Sequence, residues 1–325
     1  MTTSLTLPPS LIDQSIQTDP RLQSPHSRRQ YSANLRKFEA WRADRPMTKL
    51  LVETYAAELQ QQDLAPSTIN QKLAAVRWWA RKVIDLAHEN LPTDEADTIA
   101  KQAARVLTIQ DVKGKRPQRG RQLKSSELVA LIQTCLQDPT PAGKRDAALF
   151  WCASTTGLRR EELASITLEN IKHLEEMDEE TGEISHHAEI SVIGKGNKAN
   201  TAYLWHETYT ALNAWLDIRG DEPGHVFCPI NKSGAPLITS GLSGEALRNI
   251  LNKRIAQAGI DHLTWHDFRR TLTGDLLNAK NDLVTVQKLL GHASPTTTAM
   301  YDRRPAALRK DAIKNLRMPK IGEIA

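Results

Sequence analysis

The chain has 325 residues, more than one typical domain needs, so two domains are expected. Its apolar fraction of 40% and charged fraction of 25% are those of a soluble globular protein. No segment approaches the roughly 18 apolar residues of a membrane span, so no transmembrane helix is expected. The net charge of +5 permits a polyanionic partner without requiring one.

The three cysteines, Cys135, Cys152 and Cys228, stand far apart among apolar neighbours. Their odd number and isolation indicate a reducing compartment, where disulfides are rare, and no two of them have the spacing of zinc ligands. The N-terminal residues lack both the basic stretch and the long apolar stretch of a secretion signal. We therefore expect a cytoplasmic protein.

The first part of the chain is predicted to be helical after a short irregular start. Residues 1–20 are rich in serine, threonine and proline without periodicity, which predicts an N-terminus that lacks fixed structure. Apolar residues then recur at helical intervals over residues 21–110. The predicted helices cover residues 27–44, 48–61, 66–82 and 95–107.

The third of these helices displays basic side chains beside a pair of tryptophans. Lys72, Arg77 and Arg81 could contact DNA from a helix that lies in the major groove. Alternatively, the helix is an ordinary solvated amphipathic one, and Trp78 and Trp79 belong to the core. Both interpretations remain open from the sequence.

A basic stretch with glycine and proline, residues 111–124, follows the helical region and contains almost nothing apolar. Such a composition is typical of an extended linker between domains. The linker could lie along a phosphate backbone, or it could be only a soluble hinge. The candidate DNA contacts in it are Lys113, Lys115, Arg116, Arg119 and Arg121.

A second domain is expected over residues 125–317, with a tail at residues 318–325. Two helices open it, and later apolar and polar residues alternate on either side of a Gly-Lys-Gly-Asn turn, which predicts a β-hairpin. The acidic stretch before the hairpin, residues 173–187, looks like an inserted turn. Helices resume over residues 207–219, 244–258, 266–279 and 283–290.

The second domain also holds residues suited to phosphate chemistry. Arginine side chains pair with nonbridging phosphate oxygens and neutralise the charge that develops at phosphorus. Taken singly, each candidate is better explained as a surface ion pair or a solvated turn. Together they are what metal-free transfer of a phosphodiester requires. The set is Arg159, Lys195, His266, Arg269, His292 and Tyr301, with Glu162 one helical turn beyond Arg159 and able to orient it.

The segments that carry this set are TGLRREEL, VIGKGNK, HDFR and LLGH, and a tyrosine follows nine positions after the last histidine. In this order they resemble the tyrosine recombinases, or phage integrases, a family that includes Xer-like and Cre-like enzymes. The resemblance covers residues 125–316 and implies that the N-terminal helical region is a core-binding domain. Trp265 departs from the family pattern, and it either packs on the DNA or fills the core.

The resemblance implies a nucleophile and a phosphate clamp. Tyr301 would attack a DNA phosphate and form a covalent 3′-phosphotyrosyl intermediate, which releases a 5′-hydroxyl. Arg159 and Arg269 would hold the phosphate, and His292 would add a hydrogen bond. A phenol of pKa about 10 costs roughly 4 kcal/mol to deprotonate at pH 7, so nearby cationic groups or a base must offset this cost.

The resemblance also implies proton transfer and support for the clamp. Lys195 would be the general acid that protonates the leaving 5′-oxygen. His266 would take the phenolic proton or bond the phosphate. Glu162 would orient Arg159. No metal, ATP or other cofactor is expected, because the phosphotyrosine bond conserves the energy of the phosphodiester.

The implied fold is mainly α-helical with a small antiparallel β-sheet in the catalytic domain, and its two domains would close on DNA as a C-shaped clamp. A homotetramer would act on double-stranded DNA with paired inverted binding sites and pass through a Holliday junction. Accessory DNA-bending proteins are candidate partners. A helix at residues 306–318 would dock on a neighbouring protomer, or else cap its own domain.

Two other kinds of function stay open at this point. A DNA-binding regulator could use the same fold without catalysis. The same chemistry could also act on a single duplex, as in a type IB topoisomerase or a hairpin-forming resolvase. A covalent protein–DNA adduct would separate an enzyme from a regulator, and relaxation of plasmid DNA without a specific site would favour a topoisomerase.

Overall fold

The computed structural model describes residues 9–114, 120–194, 198–291 and 298–299. Over these residues the chain is mainly α-helical and contains one three-stranded antiparallel sheet, as the sequence predicted. The chain divides into two compact units, Met1–Gln118 and Arg119–Ala325, and the division falls inside the stretch predicted to be a linker. Among the described residues, no helix combines the length and the apolar composition that a membrane span requires.

The first unit is built from helices that begin at recognisable signals. Ser24 accepts a hydrogen bond from the amide of Ser27, Thr48 accepts one from Leu51, and Pro66 occupies the first turn of the longest helix. Its described helices are α1 (Pro9–Thr18), α2 (Pro25–Arg42), α3 (Lys49–Gln61), α4 (Pro66–Asn90) and α5 (Thr93–Leu107).

The prediction that residues 1–20 lack fixed structure is wrong for Pro9–Thr18, which forms α1. Ile12 and Ile16 lie one helical turn apart, and both are buried in the core of the first unit. The polar composition around these two residues hid their four-residue spacing. A helix this short is stable because its apolar stripe is packed, since isolated helices of this length are marginal in water.

The tryptophan pair of α4 belongs to the core of the first unit. Trp78 and Trp79 are both buried, and the Trp78 indole Nε1 donates a hydrogen bond to Asp19 Oδ2 at 2.9 Å. A buried indole N–H needs such an acceptor, because an unpaired polar group costs free energy in the core. The structure therefore confirms the interpretation in which Trp78 and Trp79 are core residues.

The second unit surrounds its sheet with helices. The strands lie in the order β1-β2-β3, and Ile190 of the central strand pairs with Ile171 on one side and Ala202 on the other. Its described elements are α6 (Ser125–Leu136), α7 (Pro141–Thr156), α8 (Arg160–Ser165), a 3-10 turn (Leu168–Asn170), β1 (Ile171–Met177), β2 (Ile184–Gly194), β3 (Lys198–Leu204), α9 (His206–Arg219), α10 (Gly244–Ala258), α11 (Trp265–Asn278) and α12 (Leu283–Leu290).

The acidic stretch at residues 173–187 contains the expected turn, between Met177 and Ile184, but the residues on either side of it are paired strands that extend the sheet. It forms the outer part of the β1–β2 pairing, where Met177 lies opposite Ile184 and both side chains are exposed. Asp178 closes the turn by accepting hydrogen bonds from the amides of Glu180 and Thr181. We call this structure the acidic hairpin.

Trp265, which departs from the family pattern, fills the core of the second unit. Its ring is buried and stacks on Phe150 with 5.5 Å between centroids, and its Nε1 donates to the Leu247 carbonyl at 3.0 Å. Phe268, one turn later on α11, stacks on the same face of the core with Phe150. Large apolar residues on both sides of His266 therefore anchor the start of α11.

A buried ion network ties α7 and α10 to the loop that follows α6 in the second unit. The fully buried Arg254 donates from Nε and Nη2 to Asp146 Oδ2 at 2.9 and 2.8 Å, and from Nη2 to Asp138 Oδ2 at 2.7 Å. The Arg145 guanidinium bonds the other oxygen of Asp146, at 2.8 Å from Nη2. Every charge in this network is paired and hydrogen-bonded, as burial requires.

Asp146→Asn is expected to lower the free energy of unfolding by about 3 kcal/mol, because two arginines lose their buried counter-charge. Urea denaturation followed by circular dichroism measures this change. Asp13→Asn is the matched control, because the Asp13–Arg36 ion pair is exposed and its loss should cost less than about 1 kcal/mol. Equal losses of stability in the two variants would contradict the prediction.

Candidate active site

Arg159 is presented by a tight turn between α7 and α8. The turn depends on Gly157, whose φ of +60° is in the left-handed region, and a Cβ there would lie 2.7 Å from the Leu290 side chain. Glu162, buried in the first turn of α8, accepts hydrogen bonds from the Arg159 amide at 2.7 Å and from its Nη1 at 2.6 Å. The Arg159 side chain remains 36% exposed, so Glu162 fixes it without burying it.

Arg269 lies on α11 and is buried. Its Nη1 donates to the Gly157 carbonyl at 2.7 Å, and its Nη2 donates to the Leu290 carbonyl at 2.6 Å. Both carbonyls stand at helix C-termini, where backbone oxygens lack partners within the helix. Arg269 therefore joins the turn that presents Arg159 to the end of α12, two residues before His292 in the sequence.

His266 stands in the first turn of α11, three positions before Arg269. Its ring retains access to solvent, yet the surrounding protein removes much of its hydration and lowers its pKa. The positive charges of Arg270 and Arg269 lower this pKa further, and the Asp267 carboxylate partly opposes them. A pKa below the usual 6.5 keeps His266 mostly neutral at pH 7, the form in which a histidine can act as a base.

Arg159, His266 and Arg269 line one cavity of about 460 Å³ in the second unit. Sequence reasoning missed two further arginines in its wall, Arg160 and Arg248. A surplus of positive charge in a concave site favours an anionic ligand such as a phosphate group. The wall also contains one acidic residue, Glu161, and several apolar side chains, namely Leu158, Leu251, Leu263 and Trp265.

The signal for Arg160 was present in the sequence, since it directly follows Arg159. In the structure its guanidinium bonds Glu161 Oε1, at 3.2 Å from Nε, and packs against Gly244 of α10. Arg248 lies on α10, a helix without a recognisable motif. Only the folded chain shows that α10 borders the cavity.

Lys195, His292 and Tyr301 lie outside the described residues. The helix predicted at residues 306–318 also lies outside them. Strand β2 ends at Gly194 and β3 begins at Lys198, so Lys195 directly follows β2 in the sequence. The positions of these three side chains relative to the arginines stay predictions.

The candidate DNA contacts of α4 differ in their burial and in their hydrogen bonds within the protein. Arg77 donates to the Ile109 carbonyl at 2.8 Å and to Asp111 Oδ1 at 2.7 Å. Burial, reinforced by the charge of Lys37, lowers the pKa of Lys72. Arg81 is exposed. DNA binding by α4 stays a prediction.

Two of the five linker candidates are described. Lys113 is exposed. Arg121 is engaged within the second unit, because its guanidinium bonds Glu127 Oε2 at 2.6 Å and the Asp261 carbonyl at 3.0 Å. These contacts give Arg121 a structural role beside the predicted contact with DNA. The other three candidates, Lys115, Arg116 and Arg119, lie outside the described residues.

The sequence model of the phage integrase family matches residues 121–306, which is more than half of the chain. The chain belongs to the phage integrase family. The recombinase is 27% identical over 290 residues to tyrosine recombinase XerC of Alcanivorax borkumensis, which covers 86% of this chain and 83% of that protein. It is 28% identical over 296 residues to XerC of Listeria welshimeri, with coverages of 85% and 89%.

Solved structures show the same fold. The recombinase aligns with XerH bound to palindromic difH substrate at a TM-score of 0.67 and 18% identity, covering 95% of this chain and 84% of that one. It aligns with the Tn1549 transposon integrase in complex with transposon right-end DNA at a TM-score of 0.58 and 17% identity, with coverages of 93% and 98%. The predicted family and enzyme class, a tyrosine-type site-specific recombinase, are confirmed.

Proposed function

We propose that this recombinase cleaves and rejoins duplex DNA with Tyr301 as the nucleophile. The tyrosine oxygen would bond to the phosphorus while the bond from phosphorus to the 5′-oxygen breaks, which leaves a 3′-phosphotyrosyl enzyme. Attack by the 5′-hydroxyl of another strand would reverse these steps and reseal the DNA. The observation that carries the proposal is the shared cavity of Arg159, His266 and Arg269.

The two arginines would stabilise the phosphate as charge develops on it. Arg159 is fixed by Glu162 yet partly exposed, and Arg269 is held by two backbone carbonyls, so both are oriented before DNA arrives. A preorganised donor of this kind is worth about 3 to 4 kcal/mol to the transition state. His292 would add a further hydrogen bond to the phosphate.

Proton transfer would involve His266 and Lys195. The neutral His266 would accept the phenolic proton of Tyr301 or bond the phosphate, and its lowered pKa supports the first role. Lys195 would give a proton to the leaving 5′-oxygen. Glu162 would act through Arg159 by holding its guanidinium.

The pH dependence of cleavage tests the role of His266. A base must be neutral, so the single-turnover rate should fall only as the pH drops below 6.5, the ordinary value from which the pKa of His266 is lowered. The rate is measured on prebound nicked DNA across the acidic range. His266→Gln should cleave more slowly and lose this acid-side fall. An acid limb in the wild type with its midpoint above pH 6.5 would contradict the prediction.

The partner would be double-stranded DNA with paired inverted sites, bound by a homotetramer that passes through a Holliday junction. XerH bound to a palindromic substrate and the Tn1549 integrase bound to DNA support a DNA partner for this chain. Residues 21–110 would form the core-binding domain, residues 111–124 the linker and residues 125–317 the catalytic domain. DNA-bending proteins would assist assembly.

Mapping of covalent adducts on genomic DNA tests the proposal. Purified protein is incubated with DNA fragments, the mixture is denatured, and fragments still attached to protein are sequenced. We expect 3′-linked ends that share an inverted repeat, and a phosphotyrosyl peptide that contains Tyr301. Absence of any adduct would indicate a DNA-binding regulator. Adducts without a shared sequence, together with relaxation of plasmid lacking a site, would indicate a topoisomerase.

A further inference from the structure

Asp267 lies between His266 and Arg269 in the sequence, and its carboxylate is buried among four hydrogen-bond donors. Oδ2 accepts from the amide and the hydroxyl of Thr264, both at 2.8 Å. Oδ1 accepts from the amide of Arg121 and from Nη1 of Arg270, both at 3.0 Å. The carboxylate therefore holds the start of α11 and, at the same time, the segment by which the chain enters the second unit.

This entry segment, residues 120–123, follows one face of α11. The Leu123 amide donates to Thr271 Oγ1 at 2.8 Å, one helical turn beyond the contact between Arg121 and Asp267. Thr271 Oγ1 in turn donates to the Asp267 carbonyl at 2.8 Å. These hydrogen bonds fix the position of the segment along the helix that carries His266 and Arg269.

Gly120 makes the approach close enough for these bonds. Its φ is +94°, and a Cβ at this position would lie 2.2 Å from Asp267 Oδ1 and 1.9 Å from Arg270 Nη1. Residues other than glycine rarely adopt this backbone conformation, so a larger residue would be strained. It would also displace the Asp267 carboxylate or the Arg270 guanidinium. The entry segment and Asp267 therefore form one packed contact.

We propose that Asp267 is a positioning residue whose carboxylate sets α11, with His266 and Arg269, against the chain that enters the catalytic domain at residues 120–123. The proposal rests on the proposed function, because its effect is read in DNA cleavage. It assigns Asp267 no contact with DNA. The geometry of the cavity therefore depends on the position of residues 120–123, at the end of the linker.

The chemistry of the carboxylate makes this dependence testable. Two oxygens with two donors each need a carboxylate, and an amide supplies one oxygen only. Asp267→Asn would therefore leave either the Thr264 donors or the pair from Arg121 and Arg270 facing an NH₂ group. A buried donor that loses its acceptor shifts or stays unsatisfied, and α11 moves with it.

The test separates binding from the chemical step. We expect Asp267→Asn to bind a nicked DNA site with unchanged affinity and to cleave it about 10- to 100-fold more slowly in a single turnover, the range that a misplaced catalytic group produces. Asp146→Asn is the matched control, a buried carboxylate of the same domain outside the cavity. It should be less stable yet cleave at the wild-type rate at a temperature where it is folded.

A second variant keeps the test valid if Asp267→Asn does not fold. Gly120→Ala keeps Asp267 chemically intact but displaces its carboxylate or the Arg270 guanidinium, so it is expected to slow cleavage in the same way without loss of affinity. A wild-type cleavage rate in folded Asp267→Asn would overturn the proposal. If Asp267→Asn does not fold, a wild-type rate in Gly120→Ala would overturn it. An equal slowing in Asp146→Asn would also overturn it. Absence of a covalent adduct in the wild type would instead refute the proposed function.

Discussion

Replacing Tyr301 with phenylalanine is expected to abolish the covalent protein–DNA adduct and leave DNA binding unchanged. The substitution removes one oxygen atom, the proposed nucleophile, and retains the aromatic ring. Without that oxygen no 3′-phosphotyrosyl bond can form, although the arginines still bind the phosphate. Denaturing gel electrophoresis of protein incubated with labelled, nicked DNA measures the adduct, and gel retardation of the same mixture measures binding.

Tyr203→Phe is the control, because it removes a phenolic oxygen from a tyrosine on β3. Tyr203 lies on β3 with its side chain exposed and does not line the cavity, so its variant should form the adduct at the wild-type rate. An adduct that persists in Tyr301→Phe would show that another residue is the nucleophile. Loss of the adduct in both variants would show that the assay reports something other than the chemical step.

Replacing Arg269 with lysine is expected to slow cleavage by a factor of about 10² to 10³, the usual cost of losing one preorganised donor to a transition-state oxyanion. Lysine keeps the charge, but it lacks the planar group with which Arg269 bonds the carbonyls of Gly157 and Leu290. The turn that presents Arg159 and the end of α12 would then lose their common support. Single-turnover cleavage of nicked DNA measures the effect.

Arg219→Lys provides the comparison for this variant. Arg219 is also buried and also donates to backbone carbonyls, those of His225 at 3.1 Å and Gly220 at 2.9 Å, but it does not line the cavity. Its variant should lose stability without a lower cleavage rate in the folded protein. The prediction for Arg269 fails if both variants lose cleavage equally, or if Arg269→Lys cleaves at the wild-type rate.

The parts of the fold that the sequence predicted well carry strong local signals. The predicted bounds of α10 and α12 agree with the structure, since Gly259 and Gly291 end these helices in left-handed conformations. The alternation around the Gly-Lys-Gly-Asn turn predicted the β2–β3 pairing in the same way. In each case the information lies within a few residues of the element.

Features that depend on distant contacts escaped sequence reasoning. Arg121 was predicted only as a DNA contact, and its bond to the Asp261 carbonyl, 140 positions away in the chain, could not be predicted from the local sequence. Arg248 borders the cavity only because α10 packs beside α8. The partners of Asp267 come from both of its flanks and from residues about 146 positions away, as the Arg121 contact shows.

The acidic hairpin also affects how the protein meets DNA. Residues 173–187 carry six carboxylates and no lysine or arginine, so the rest of the chain is more basic than the net charge of +5 indicates. A polyanion that approaches the hairpin is repelled, whereas one that approaches the arginine-lined cavity is attracted. None of the hairpin residues lines the cavity, so we expect a polyanion to be held at the arginines and kept from the hairpin.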